Sequence, residues 1–179
     1  MDEDRLWAPW RLGYIKGAEA PPPPPEPEAW LEGADENCFI CRAAARYADD
    51  SHDRELLVVS RGDHTVTLLN RYPYSNCHVL VCPSRHVATL EELTEQEQTE
   101  AMQRITRLTS VLSKKIGAQG FNIGLNQGEV AGAGVPGHLH WHVVPRWPGD
   151  HNFMPTLAGV RVLPQSLDAA WELLRGALD

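Results

Sequence analysis

The sequence predicts an α+β domain: a mostly antiparallel sheet of about five strands, one long helix and one shorter helix. Three observations carry this. Five short runs rich in β-branched and apolar residues are broken by turn residues: ELLVVS (55–60), HTVTLLN (64–70), CHVLVC (77–82), GFNIGLN (120–126) and HLHWHVVP (138–145). Between the third and fourth, Met102, Ile105, Leu108, Leu112 and Ile116 fall at helical spacing and give one apolar face. The runs are joined by short turns around that helix, and no internal repeat is found.

The chain of 179 residues has the length of one domain with appended arms. Residues 1–36 read as an N-terminal arm. It holds a tryptophan-rich segment, LWAPWRLGYI (6–15), and a proline run, Pro21 to Pro25, expected to be extended and stiff. The aromatic segment must bury its rings on this domain or on a second subunit. The main domain spans 37–150. It opens on Cys38-Phe39-Ile40-Cys41 and a short helix through FICRAAARYA. Arg61-Gly62-Asp63 joins the first two β-runs as a hairpin, and Tyr72-Pro73-Tyr74 breaks the chain before the third. Thr94 with Glu97 forms a capping box at the start of the long helix, and Gly117 stops it. Residues 151–179 form a C-terminal extension whose helix is capped by Ser166.

Composition excludes several classes. A formal net charge of −8 argues against a nucleic-acid backbone as a general partner. No apolar run approaches the roughly 18 residues that span a bilayer. The charged start, MDEDRLWAPWRLGY, lacks the apolar core of a secretory signal, so a cytoplasmic location is expected. There the four cysteines are reduced or metal-bound rather than paired. Cys77 and Cys82 lie in an apolar run on opposite faces and read as packing residues.

His138, His140 and His142 alternate, so on a strand they share one face while Leu139, Trp141 and Val143 share the other, the core face. Imidazoles at this spacing bind metal or handle phosphate and protons near neutral pH. Cys38 and Cys41 supply half of a tetrahedral zinc site. No second CxxC exists, so histidines must complete it, and His86 and His138 are the chosen pair. His52, His64 and His151 have no partner pattern and no assigned role.

His138-Leu-His140-Trp-His142-Val-Val resembles the signature of the histidine triad (HIT) family. LLNRYPYSNCHVLVCPSRHV (68–87) and FNIGLNQG (121–128) are similar to that family's nucleotide-binding segments. LWAPWR and PRWPGDHNF look like its bacterial branch related to diadenosine tetraphosphate phosphorylases. The resemblance implies a HIT-like fold and an enzyme acting at the α-phosphate of adenine nucleotides or dinucleoside polyphosphates. His140 is then the nucleophile, His142 meets a phosphate oxygen, and His78 orients the triad. Asn70 bonds the ribose, Leu69 and its strand touch the base, and Asn126, with Gln127, contacts phosphate. Gly128 allows close approach, and Gly134 lies in a loop, EVAGAGVPG (129–137), whose amides cradle an anion. Relatives carry a Ser, Thr or Gln in that loop, and this chain does not. The resemblance also implies a closed structural zinc on Cys38, Cys41, His86 and His138, after the turn Pro83-Ser-Arg-His86, and a homodimer or higher assembly. Two alternatives stand: a zinc-stabilised nucleotide sensor with little turnover, and uridylyl transfer between sugar phosphates.

Overall fold

The structure is a computed structural model that describes residues 23–150 and 163–178. The aromatic segment at 6–15, Pro21, Pro22 and His151 lie outside the described residues.

The elements follow the chain as α1 (Phe39–Ala44), α2 (Asp53–Leu56), β1 (Val58–Arg61), β2 (Thr65–Leu69), β3 (Val79–Pro83), α3 (Glu95–Ile116), β4 (Gly120–Leu125), β5 (Trp141–Arg146) and α4 (Leu167–Leu174). The five strands form one antiparallel sheet in the order β1-β2-β3-β5-β4. The register sets Leu80 of β3 and Gly124 of β4 on either side of His142 in β5.

Each face of the sheet is covered differently. On one face Val59, Leu69, Val79, Val81, Leu139, Trp141 and Val143 pack with Ala101, Ile105, Leu108 and Leu112 of α3 and with Ala170, Trp171 and Leu174 of α4. Leu108 and Leu112 are fully buried, so truncating either to alanine costs about 2–5 kcal/mol. The other face is covered only in part. Ile40, Cys41, Ala43 and Ala44 of α1 pack on Val58, Val66, Leu68, Leu80 and Cys82. The rest of that face carries the histidines.

The helix ends follow the sequence. Thr94 accepts from the Glu97 amide while the Glu97 carboxylate accepts from the Thr94 amide, and Gly117 ends α3 at φ 63°, a conformation that glycine adopts at little cost. Ser166 caps α4 through the Ala169 amide. Cys77 and Cys82 do sit in opposite cores, and burial pushes the Cys77 thiol up to about 11.

Four expectations change. ELLVVS is not all strand: Asp53–Leu56 is a helical turn held by Asp53 accepting from Arg61 at 2.5 Å, and Leu57 at φ 60° redirects the chain into β1. Met102 is 48% exposed, and Ala101 takes its place in the core because 101, 105, 108 and 112 define the buried stripe. The β5 ladder begins only at Trp141. His138 and His140 lie in the extended run before it, which the Leu139 amide ties to the Val87 carbonyl at 2.7 Å. Leu69 packs with Val79 on the helix side, so Leu68 is the leucine on the histidine face.

Residues just before α1 dock on the domain. Trp30, Leu31 and Ala34 pack on the α1 core, Arg42 lies 5.0 Å over the Trp30 ring, and Arg42 Nη1 donates to the Pro25 carbonyl at 3.0 Å.

Candidate catalytic and metal site

The extended run before β5, with the start of β5 itself, places three imidazoles on one face of the sheet. His138 and His140 are buried, and His142 is partly covered. Each has one ring nitrogen committed to a neighbour, and those commitments assign the tautomers. His140 Nδ1 lies 2.8 Å from the His138 carbonyl, which can only accept. Its proton therefore sits on Nδ1 and its lone pair on Nε2. His138 Nε2 lies 2.9 Å from the Pro83 carbonyl and is likewise the donor, leaving Nδ1 as a ligand atom.

His142 is set from further away. The Tyr74 amide donates to His78 Nδ1 at 3.1 Å, and the Asn70 side-chain nitrogen lies 3.3 Å from the same atom. His78 Nε2 therefore carries the proton and donates to His142 Nδ1 at 3.0 Å. His142 is left with its proton on Nε2. Burial, and then the neighbouring His140, hold the His142 imidazole below the usual histidine range. A neutral imidazole with one lone pair, beside a second imidazole that offers an N–H, can attack phosphorus and support the developing charge.

The other expected contacts are distributed as follows. Asn70 Oδ1 accepts from the Tyr72 amide at 2.9 Å, so both ends of this side chain brace the β2–β3 turn and His78. Asn126 directly follows β4 and is partly buried. Gln127 Oε1 accepts from the Leu90 amide at 3.0 Å, tying the loop to the 3-10 turn Leu90–Glu92. Gly128 has φ 84°, which favours glycine, and Gly134 is exposed.

Cys38, Cys41, His86 and His138 converge from three separate segments. Their ligand atoms all lie within 4.8 Å of one another, the one such cluster among the described residues. Cys38 Sγ is 3.4 Å and Cys41 Sγ 3.5 Å from His138 Nδ1, and Cys41 Sγ is 3.1 Å from His86 Nδ1. Tetrahedral zinc with ordinary bond lengths needs sulfur–nitrogen edges of about 3.6 Å. The donors thus fit a metal ion with little movement. The two thiols divide: the Cys41 contact, assisted by His138, draws the Cys38 thiol down, in the direction a thiolate ligand requires, while the same contact and burial push the Cys41 thiol up.

Three supporting features were not read from the sequence. A Cβ at Gly137 would lie 3.3 Å from His86 Nε2, so glycine lets this ring reach the cluster. Arg85 grips Glu97 through Nε at 2.8 Å and Nη2 at 2.9 Å, and also donates to the Glu92 carbonyl. This pins the turn that carries His86 to the start of α3. Tyr74 stacks on His142 and lies tilted against His78. Each depends on contacts between distant segments, and nothing in the one-dimensional pattern marks them.

Comparison with known proteins agrees with this arrangement. The model of the HIT domain family matches residues 53–149. The chain is 39% identical over 170 residues to AP-4-A phosphorylase of Mycobacterium tuberculosis (strain CDC 1551 / Oshkosh), covering 95% of this chain and 82% of that protein. It is 36% identical over 86 residues to the asymmetrical bis(5'-nucleosyl)-tetraphosphatase of Schizosaccharomyces pombe, covering 48% of this chain and 47% of that one. Among solved structures, a Zn-bound histidine triad family protein from Mycobacterium smegmatis superposes with a TM-score of 0.56 at 28% identity, covering 68% of this chain and 83% of that one. No helix among the described residues is long and apolar enough to cross a membrane.

Proposed function

This chain belongs to the HIT domain family, and from that premise we propose that it is a nucleotidyl hydrolase or transferase of the diadenosine tetraphosphate phosphorylase type, working through a nucleotidyl-histidine intermediate. The observation that carries the reading is the hydrogen bond from His140 Nδ1 to the His138 carbonyl. It keeps the Nε2 lone pair available in a buried imidazole.

In this reading Nε2 of His140 attacks the α-phosphorus of a dinucleoside polyphosphate. A P–N bond forms, and the P–O bond to the remaining nucleoside polyphosphate breaks. His142 Nε2–H donates to a phosphate oxygen as charge develops there, and His78 holds His142 in that tautomer. Water or inorganic phosphate then attacks the same phosphorus, re-forming a P–O bond and returning the lone pair to His140. Asn70 and Asn126 bind ribose and phosphate, with Gln127, Gly128 and Gly134 shaping the loop around the polyphosphate. Asn70 must exchange its Tyr72 contact for the ribose to do so.

Cys38, Cys41, His86 and His138 would hold a zinc ion. Four protein donors fill a tetrahedral shell, so the ion supplies rigidity and no reaction step. It fixes the His138 backbone whose carbonyl orients His140. We further place the protein in the cytoplasm, where these thiols stay reduced, and as a homodimer paired through the exposed edge strand β4.

A quenched reaction with radiolabelled diadenosine tetraphosphate, with and without inorganic phosphate, tests the reading. Phosphate-dependent formation of ADP and ATP identifies phosphorolysis, and phosphate-independent formation of AMP and ATP identifies hydrolysis. Tight binding with neither product would replace the enzyme by a nucleotide sensor, which the hydroxyl-less loop at 129–137 would suit.

A further inference from the structure

Tyr74 lies in the β2–β3 turn and has no part in the chemistry described above. The residue is 48% exposed. Its ring sits 4.8 Å from the His78 ring, tilted by 32°, and 5.8 Å from the His142 ring, stacked at 28°. One aromatic face thus lies along the His78–His142 pair, whose rings are 5.1 Å apart and joined by the 3.0 Å hydrogen bond. The backbone amide of the same residue donates to His78 Nδ1. A backbone N–H cannot turn into an acceptor, so it fixes the polarity of the pair.

We propose that Tyr74 is a positioning residue: its ring caps the His78–His142 hydrogen bond against water and so keeps His142 neutral, with its proton on Nε2. The physical reason is competition. His78 is wholly buried but His142 is only partly covered, and a water molecule reaching His142 Nδ1 could protonate it or replace His78 as its donor. Either event removes the fixed tautomer. An apolar ring laid over the bond excludes that water and lowers the local dielectric, which strengthens the bond. The titratable groups whose rings face His142 among the described residues are His78 from just before β3, His140 from the run just before β5 and Tyr74 from the β2–β3 turn. None carries an opposite charge that would favour protonated His142. This role rests on the nucleotidyl-transfer reading for its purpose, but not for its measurement.

The test uses 15N-labelled full-length protein without nucleotide, as wild type, Tyr74→Phe, Tyr74→Leu and Tyr74→Ala. Two-bond 1H–15N spectra report the tautomer of His142 and its titration midpoint. Wild type and Tyr74→Phe should show one Nε2–H tautomer. Tyr74→Ala should show a mixture of tautomers and a midpoint moved up toward the ordinary histidine value, with Tyr74→Leu intermediate. Turnover of diadenosine tetraphosphate should fall about tenfold in kcat in Tyr74→Ala with KM little changed, the size expected when a reacting group loses its alignment. Tyr74→Phe should restore it. An unchanged His142 spectrum in Tyr74→Ala overturns the proposal whatever the activity does. A loss confined to KM also overturns it, because the ring would then be contacting substrate. Should no variant or wild type turn over any nucleotide, the functional reading fails and the spectra still decide the role of Tyr74.

Discussion

His140 donates its Nδ1–H to the backbone carbonyl of His138, two residues earlier, at 2.8 Å. His138 in turn offers its own Nδ1 to the cysteine cluster and anchors its Nε2–H on the Pro83 carbonyl. One residue therefore faces the metal cluster with its side chain and the proposed nucleophile with its main chain. The two halves of the site are joined through a single peptide unit.

Replacing His140 by alanine removes the nucleophile and leaves the rest of the pocket in place. Turnover of diadenosine tetraphosphate should drop by about 10³-fold or more, the scale seen when an essential nucleophile is deleted. Nucleotide affinity, read by calorimetry, should change only a few-fold. A variant that retains the wild-type rate would assign the attack to another group.

Loss of the metal should act on stability and activity together. Purified protein should contain stoichiometric zinc by elemental analysis. Stripping it with a strong chelator, or replacing Cys41 by serine, should lower the melting temperature. Activity should fall by about 10- to 100-fold, because ligands that only orient a reacting group typically contribute that much. Full activity in demonstrably metal-free protein would disconnect the cluster from His140. Gly137→Ala offers a gentler version. The added methyl meets the His86 ring at 3.3 Å, so the chelator should remove zinc faster while the fold persists.

Much of this was legible in the sequence because it rests on local rules. The capping box at Thr94 and Glu97, the stop at Gly117 and the alternation of His138, His140 and His142 each depend on a few adjacent residues. The CxxC and its missing second half pointed to histidine ligands. What stayed hidden depends on contacts between distant segments. Met102 reads as core until the sheet selects Ala101 instead. Leu69 and Leu68 are interchangeable in a pattern, and only the register with Val79 and Leu80 decides which faces the histidines. Tyr72-Pro73-Tyr74 reads as a chain break, and the stacking of Tyr74 requires β3 and β5 to be neighbours.

Glu97 gives a pH signature far from the chemistry. It is 4% exposed, accepts from the Thr94 amide and grips Arg85 with both oxygens. The Arg85 guanidinium is the main cause that brings its carboxyl down from 4.5 to about 2. A lowered carboxylate stabilises the fold fully above its unfolded value. That stabilisation is lost as pH falls from about 4.5 towards 2. Urea midpoints should therefore decline over that window in wild type, and the decline should be smaller in Glu97→Gln. At neutral pH Glu97→Gln should cost roughly 1–3 kcal/mol, as expected when a buried charged hydrogen-bond acceptor is removed. The same midpoint slope in both proteins would rule out Glu97 as the group responsible.

His142 gives the same direction of pH dependence in a higher window, and it tests the order of its causes. Burial is the larger influence and the neighbouring His140 the smaller, and both disfavour the charged imidazole. Its folded value therefore lies below the ordinary 6.5. As pH drops through 6.5 the unfolded chain takes up this proton first. Stability then falls until the folded value is passed, after which the penalty is constant. His140→Ala removes the like-charge contribution and leaves burial intact. In a 15N titration the His142 midpoint should rise in that variant yet remain below 6.5. A midpoint that returns all the way to 6.5 would make charge repulsion, not desolvation, the dominant cause. It would also mean that the sheet and the β2–β3 turn shield His142 far less than its packing against His78 and Tyr74 implies.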